Sequence, residues 1–543
     1  MTERFGSQRL RRLLSGVVMG LATACGGDPS GPVPTTAVVD LQAGQYQNFS
    51  GSEVSGAMAF PTAGAQGAWY LVIGQLASGV SDVGGDLRLG GASVVAGGMS
   101  PFAEPAARLS AADRFHTMLR LQEAAFARQA QQNPWLRMTP LASAVPRVPP
   151  QVGDKRTFKV CGDLDCAALK TVTATAQWVG QHAAIFVDDT VPGGGFTSTD
   201  LSEIGTQFDG VLYPIDVDRF GAESDIDGNG VVVVLLTDAV NALVPKPGCN
   251  DAFVTGFFYG ADLAPGLAQQ HNNGEVFFGM VPDPSGQVAC VYSTSLVKRV
   301  MPVTFIHEFQ HMISFNQKVL LRGSSPEVLW LNEGLSHLAE ELGGMHYDSL
   351  GDQTWKSRFQ IGNLYNAYQY LLEPNAHHLL VTDATGTLEE RGAAWLFVRW
   401  LLDRYGANTS RALVQTPLID VLAVQQAAGN TPIETLLTRW ALALYVSDLP
   451  NFTPPAAIPY TSWHFRTTYA SLHQQDPSNF PLPFPLTPDS SIGATVLLTG
   501  TLQAGSGAYV QPRQLANGDA FSLTFTVGAA ASAGPQVTVL RLH

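Results

Sequence analysis

The residues best suited to chemistry in this 543-residue chain lie in one short run, His307-Glu308-Phe309-Gln310-His311. On a helix the i, i+4 spacing puts His307 and His311 on one face, so both imidazoles can offer a ring nitrogen to a single metal ion. Zinc accepts such ligands, and a catalytic zinc has three protein ligands with the fourth position left to water. Glu308 stands beside the first histidine, where a general base would take a proton from that water. The pattern therefore predicts metal-assisted hydrolysis and calls for a third ligand.

The run from Trp330 to Glu341 follows Ser325-Pro326-Glu327, a capping serine with proline at the first helical position, and meets Gly343-Gly344. These signals predict a second helix, and its Glu333 is the expected third ligand. Together HEFQH and WLNEG resemble the gluzincin metallopeptidases, and HEFQHMISF with WLNEGLSHLAEE is similar to the hyicolysin family in particular. The resemblance implies zinc held by His307, His311 and Glu333, with Glu308 as catalytic base. It also implies a thermolysin-like α+β catalytic domain, β-rich above and helical below, acting on a peptide or protein. Aminopeptidases of this type carry a Gly-x-Met-Glu-Asn segment that this sequence lacks. The nearest stretch, Asn272 to Phe278 with Glu275, reads as an edge strand lining a peptide cleft. An endopeptidase is expected rather than an aminopeptidase; the alternative outside catalysis is a surface lipoprotein that binds on a degenerate scaffold. In the thermolysin-like branch an acidic residue four positions after the ligand glutamate orients the first histidine. Here that position is His337, and Glu340 is the alternative orienting carboxylate. Tyr365, Tyr368 and His377 are the candidate donors to an oxyanion.

The elements that must hold these residues follow from periodicity. Thr171 to Val179, Ala183 to Val187 and Val231 to Leu236 read as strands, and Thr197 to Val211 as a helix. Residues 355–372, 387–404 and 432–446 carry apolar residues at helical spacing. Asp225-Ile226-Asp227-Gly228-Asn229-Gly230 places oxygen ligands at alternating positions. Asp225, Asp227 and Asn229 could bind calcium, or the run is a tight turn; Leu236 at the twelfth position excludes an EF-hand.

Composition bounds the rest. Hydrophobic residues make up 45% and charged ones 14%, enough for large cores, and the net charge of −14 argues against a nucleic-acid partner. Arg4, Arg9, Arg11 and Arg12 precede the apolar run Leu13 to Ala22 and then Cys25, which resembles a lipoprotein signal over residues 1–25, with Cys25 lipidated. The protein is then exported and meets a membrane only through that lipid anchor; a cleaved secretion signal is the alternative. The remaining Cys161, Cys166, Cys249 and Cys290 suit an oxidising compartment, and the expected pairs are Cys161 with Cys166 and Cys249 with Cys290. Further along, the expected units are a tether at 26–34, a β-sandwich at 35–105, and a helix from Ser110 with a Pro-rich linker at 106–154. A catalytic domain at 155–450, a Pro-rich spacer at 451–488 and a C-terminal β-domain at 489–543 complete the chain.

Overall fold

The computed structural model describes residues 36–50, 53, 56–91, 110–137, 148–193, 195–267, 269–382 and 386–543. The signal, Cys25 and the tether lie outside the described residues, as does part of the linker. The fold mixes α and β.

A six-stranded sheet carries the first half of the site. Its strands run in the order Gly256–Phe258, Val276–Gly279, Val232–Leu236, Ala183–Asp188, Leu169–Val179 and Lys155–Cys161. The Val232–Leu236 strand is buried along its whole length and pairs in parallel with both neighbours, as its run of Val and Leu requires. The stretch expected at the edge, Val276–Gly279, is interior. The edge is Gly256–Phe258, three residues too short to show alternation in sequence, paired antiparallel to it.

Helices pack on this sheet through aromatic residues. Phe305, on the helix Thr294–Phe315 that carries both histidines, meets Phe277 of the sheet at 4.7 Å between ring centroids and Phe208 at 3.7 Å. The helix carrying Glu333 spans Leu329–Ser349. It differs from expectation at both ends. Ser325 to Glu327 is not helical, because Glu327 is committed elsewhere: it accepts from the amides of Val328 and Asp420 and pairs with Lys318. Gly343 and Gly344 lie inside the helix. A Cβ on Gly343 would approach Phe359 to 3.0 Å and one on Gly344 would meet Gln360 at 2.5 Å, so these glycines let Gln353–Leu372 pack close. That helix, Leu388–Tyr405 and Ile433–Val446 form the helical half, near their expected bounds.

The two flanking β-domains expected from sequence are one sandwich. One sheet orders Ala37–Val38, Ala57–Phe60, Phe521–Val527, Gly84–Gly91 and Leu497–Gln503; the other orders Asp489–Ile492, Gly507–Gln514, Ala68–Leu76, Pro535–Arg541 and Tyr46–Ser50. Strands from both ends of the chain mix within each sheet, and their inward faces share one core that includes Val72, Leu89, Leu502, Phe525 and Val539. Pairing partners more than 400 residues apart leave no local trace, which is why two domains were expected.

The cysteines pair as expected, with Cα separations of 4.7 Å for Cys161–Cys166 and 5.8 Å for Cys249–Cys290. No described helix is long and apolar enough to cross a membrane.

Candidate metal centre

The histidine helix is capped by Ser293, whose hydroxyl accepts from the Leu296 amide, and it is buried from Phe305 to Phe315. The next helix brings Glu333 against its histidines. His307 Nε2 lies 3.6 Å from Glu333 Oε2, and His311 Nε2 lies 3.6 Å from Glu333 Oε1. Tetrahedral zinc with bonds of about 2.0–2.1 Å separates its ligand atoms by about 3.4 Å, close to both of these separations, each of which runs to a different oxygen of Glu333. Glu333 Oε2 is buried and has no hydrogen-bond partner, which leaves it available as a ligand.

Glu308 also lies close to both histidines, the candidate ligand atoms falling within 4.8 Å of one another. Its oxygens are otherwise engaged. Oε2 accepts from the backbone amide of Phe258 on the edge strand at 3.0 Å, and Oε1 stands 3.4 Å from His116 Nδ1. Glu333 Oε2 has no such bond, and Glu308 stays beside both histidines. Burial raises the pKa of Glu308, and the charges of His307 and Arg120 offset part of that rise.

The other ring nitrogens are held from behind. Glu340 Oε1 is 2.7 Å from His307 Nδ1, and Asn332 Oδ1 is 3.0 Å from His311 Nδ1. A carboxylate on a ligand imidazole sets its orientation and raises its basicity. His337, the other residue considered for this role, lies 3.2 Å from the same Glu340 oxygen and 5.0 Å, ring to ring, from His307. A histidine four residues after Glu333 thus leaves the acidic contact to Glu340, one helical turn further on. In the metal-free protein burial would lower the pKa of His307, but Glu333 and Glu340 outweigh it and push the value up to about 10. Burial holds His311 well below its ordinary range, so it is neutral. Glu333 is held well below the usual carboxylate range: Arg391 and the histidines overcome its burial.

Sequence reasoning missed the wall of the site. Ala111–Gln132, expected only as a helix leading into a linker, packs directly on the edge strand beside the histidine helix. Phe115 meets Phe257 edge-on at 4.9 Å, and Arg120 donates to the Phe258 carbonyl at 3.2 Å. His116 faces Glu308, and its pKa is lowered to about 3 by burial and by the charge of Arg391, so it is neutral. Arg391, on Leu388–Tyr405, sits between Glu333 Oε2 at 3.7 Å and Asp113 Oδ1 at 3.5 Å. The available signal was the burial pattern of the helix itself: Phe115, Leu119 and Phe126 form an apolar stripe that a solvated spacer has no use for.

The remaining candidates lie elsewhere. The Tyr368 hydroxyl accepts from the Leu482 amide at 2.6 Å and donates to the Leu482 carbonyl, and Tyr365 packs edge-on to Phe480, so both serve the contact with the C-terminal segment. The backbone of His377 closes a turn on Pro374. Asp225 and Asp227 gather with Glu275, whose Oε1 accepts from Ser224 and the Ile226 amide. Asn229 turns its oxygen to the Val231 amide and its nitrogen to Asp227, and Arg156 stands 3.6 Å from Asp227. These are the bonds of a tight turn whose charge a guanidinium balances.

No protein-family model matches the chain. Among characterised proteins it is similar to the neutral metalloprotease ShpI of Staphylococcus hyicus, 26% identical over 170 residues, which are 31% of this chain and 36% of that protein. The match thus spans about a third of that relative's length. Among solved structures it is similar to an M1 zinc metallopeptidase mutant from Deinococcus radiodurans bound to a Tyr-Ser-Ala substrate, at 15% identity and a TM-score of 0.27, covering 53% of this chain and 51% of that one. A two-domain M1 zinc metallopeptidase mutant bound to L-arginine is similar at 14% identity and a TM-score of 0.27, over 57% and 54% of the two chains. Each of these likenesses is to a zinc or neutral metallopeptidase.

Proposed function

We propose that the chain is an exported zinc-dependent metalloendopeptidase in which His307, His311 and Glu333 hold the ion and Glu308 is the general base. The observation that carries this reading is the approach of the Glu333 carboxylate to both imidazoles, one oxygen to each ring nitrogen, beside a second carboxylate, Glu308, fixed by an edge-strand amide. The bound ion would supply a Lewis acid that lowers the pKa of water toward about 7. The protein's own groups do the rest. Glu308, its pKa raised by burial, takes the proton of the attacking water and returns it to the leaving nitrogen as the peptide bond breaks. Glu340 and Asn332 keep both imidazoles turned toward the ion position.

Endopeptidase rather than aminopeptidase rests on the missing amino-terminus-binding segment. Glu275, the carboxylate in its nearest counterpart, is spent on Ser224 and Ile226. Export is supported by two disulfides and by the charged and apolar pattern of the first 25 residues. The test compares the purified protein with its Glu308→Gln variant on casein, with zinc measured in both. Loss of about 10²–10⁴-fold in rate with zinc retained is expected. Equal rates would sink the mechanism.

A further inference from the structure

The proposed reaction still lacks a donor for the negative charge that forms on the peptide carbonyl oxygen, because the tyrosines that could have supplied it face the C-terminal segment. We propose that Arg391 is that donor and hence a catalytic residue of the site; this rests on the metallopeptidase reading above.

Three observations support the assignment. Arg391 is in ion-pair contact with the third ligand, Glu333, at 3.7 Å, so its guanidinium borders the place where a substrate carbonyl must lie. It is gripped from a second side by Asp113 at 3.5 Å, on a helix that also presents His116 to Glu308, so the fork is fixed before substrate arrives. Its Nη2 is buried and has no hydrogen-bond partner. A buried guanidinium nitrogen without a protein partner has a donor to offer an incoming oxygen, which would satisfy it. A guanidinium stays charged across the whole working pH range and presents several donors in a rigid plane. Donors fixed in a water-poor site favour the state in which charge has developed over the neutral substrate.

The step balances without any further reactant. Water oxygen bonds to the carbonyl carbon, its proton passes to Glu308, and the carbonyl electron pair moves onto oxygen, where Arg391 donates. The carbon–nitrogen bond then breaks as the proton reaches nitrogen, leaving a carboxylic acid and an amine, and the second proton of the water passes from the acid to the amine to give carboxylate and ammonium. Asp113 acts as a positioning residue, holding the fork.

The test uses the full zinc-loaded protein, the Glu308→Gln variant, and Arg391→Gln and Arg391→Lys. Each is measured for zinc content, for kcat and KM on a fluorogenic peptide, and for inhibition by a phosphonamidate peptide, whose tetrahedral anionic phosphorus imitates the charged state. Arg391→Gln should keep zinc, lose about 10²–10³-fold in kcat, and bind the phosphonamidate weaker by the same factor, with KM little changed. Arg391→Lys should fall between. A loss under tenfold in kcat with zinc retained would overturn the assignment, as would a large loss with phosphonamidate inhibition unmoved. If Arg391→Gln does not hold zinc, Arg391→Lys decides by the same two readouts. A zinc-loaded parent no faster than Glu308→Gln would instead bring down the metallopeptidase reading itself.

Discussion

Lys318 and Glu327 join the two helices that carry the proposed zinc ligands, and replacing one of them should be among the most damaging single changes in the protein. Lys318 lies in the turn Asn316–Leu320 that extends the histidine helix, and Glu327 lies just before the glutamate helix. Both side chains are fully buried, with Nζ 2.9 Å from Oε2. At that separation, and an effective dielectric of about 20, their attraction is about 6 kcal/mol. Lys318 also donates to the Leu418 carbonyl at 2.7 Å, and Glu327 accepts from the amides of Val328 and Asp420. Lys318→Met leaves those acceptors in place and strands the Glu327 carboxylate, which should cost about 3–5 kcal/mol. Part of the loss is escapable, because burial already raises the pKa of Glu327 and removal of the lysine raises it further. A carboxyl whose folded pKa is raised contributes stability that is present below its unfolded value, near 4.3, and lost as pH rises through the folded one. Lys318→Met should therefore be less destabilised at pH 5 than at pH 8. The double variant Lys318→Met/Glu327→Gln removes both charges while keeping an acceptor for the Val328 and Asp420 amides, and should recover most of the loss. Urea unfolding followed by tryptophan fluorescence at both pH values measures this, with zinc affinity as a second readout, since freeing the pair loosens the distance between His311 and Glu333. A single-variant cost below about 1 kcal/mol, or a double variant no more stable than the single, would refute the reasoning.

Zinc uptake should expel about one proton from the ligand side chains at pH 6, where water bound at such a site, with a pKa near 7, is still mostly intact. His307, at about 10, gives up that proton, whereas neutral His311 and ionised Glu333 have none to give. Calorimetry in two buffers of different ionisation enthalpy reads the number, and a value near zero contradicts the charge assignment; for the same reason zinc affinity should rise with pH toward about 10. Gly392→Ala should destabilise the helical half by about 1–3 kcal/mol, because the added Cβ would strike the backbone of Asn366 and Ala367, which cannot rotate away. It should also lower peptidase activity, since Gly392 adjoins Arg391; a thermal midpoint equal to the parent's would show that the two helices can part without cost.

The legibility of the site in the sequence divides along a physical line. His307, Glu308 and His311 were readable because one helical turn fixes their relation, and Glu333 because a motif of its own marks the second helix. Contacts made across the fold left no such mark. His116 reaches Glu308 over 192 positions, Arg391 reaches Glu333 over 58, and nothing in the composition around either announces a partner. The sandwich repeats the lesson, since Thr524 pairs with Gly90 and Val539 with Val72. The sandwich joins strands from opposite ends of the chain, whereas the histidine and glutamate helices are neighbours in sequence. The Lys318–Glu327 pair, nine residues apart, is a short-range contact that ties the two together. This makes the pair the link through which a local sequence feature sets the geometry of the metal centre.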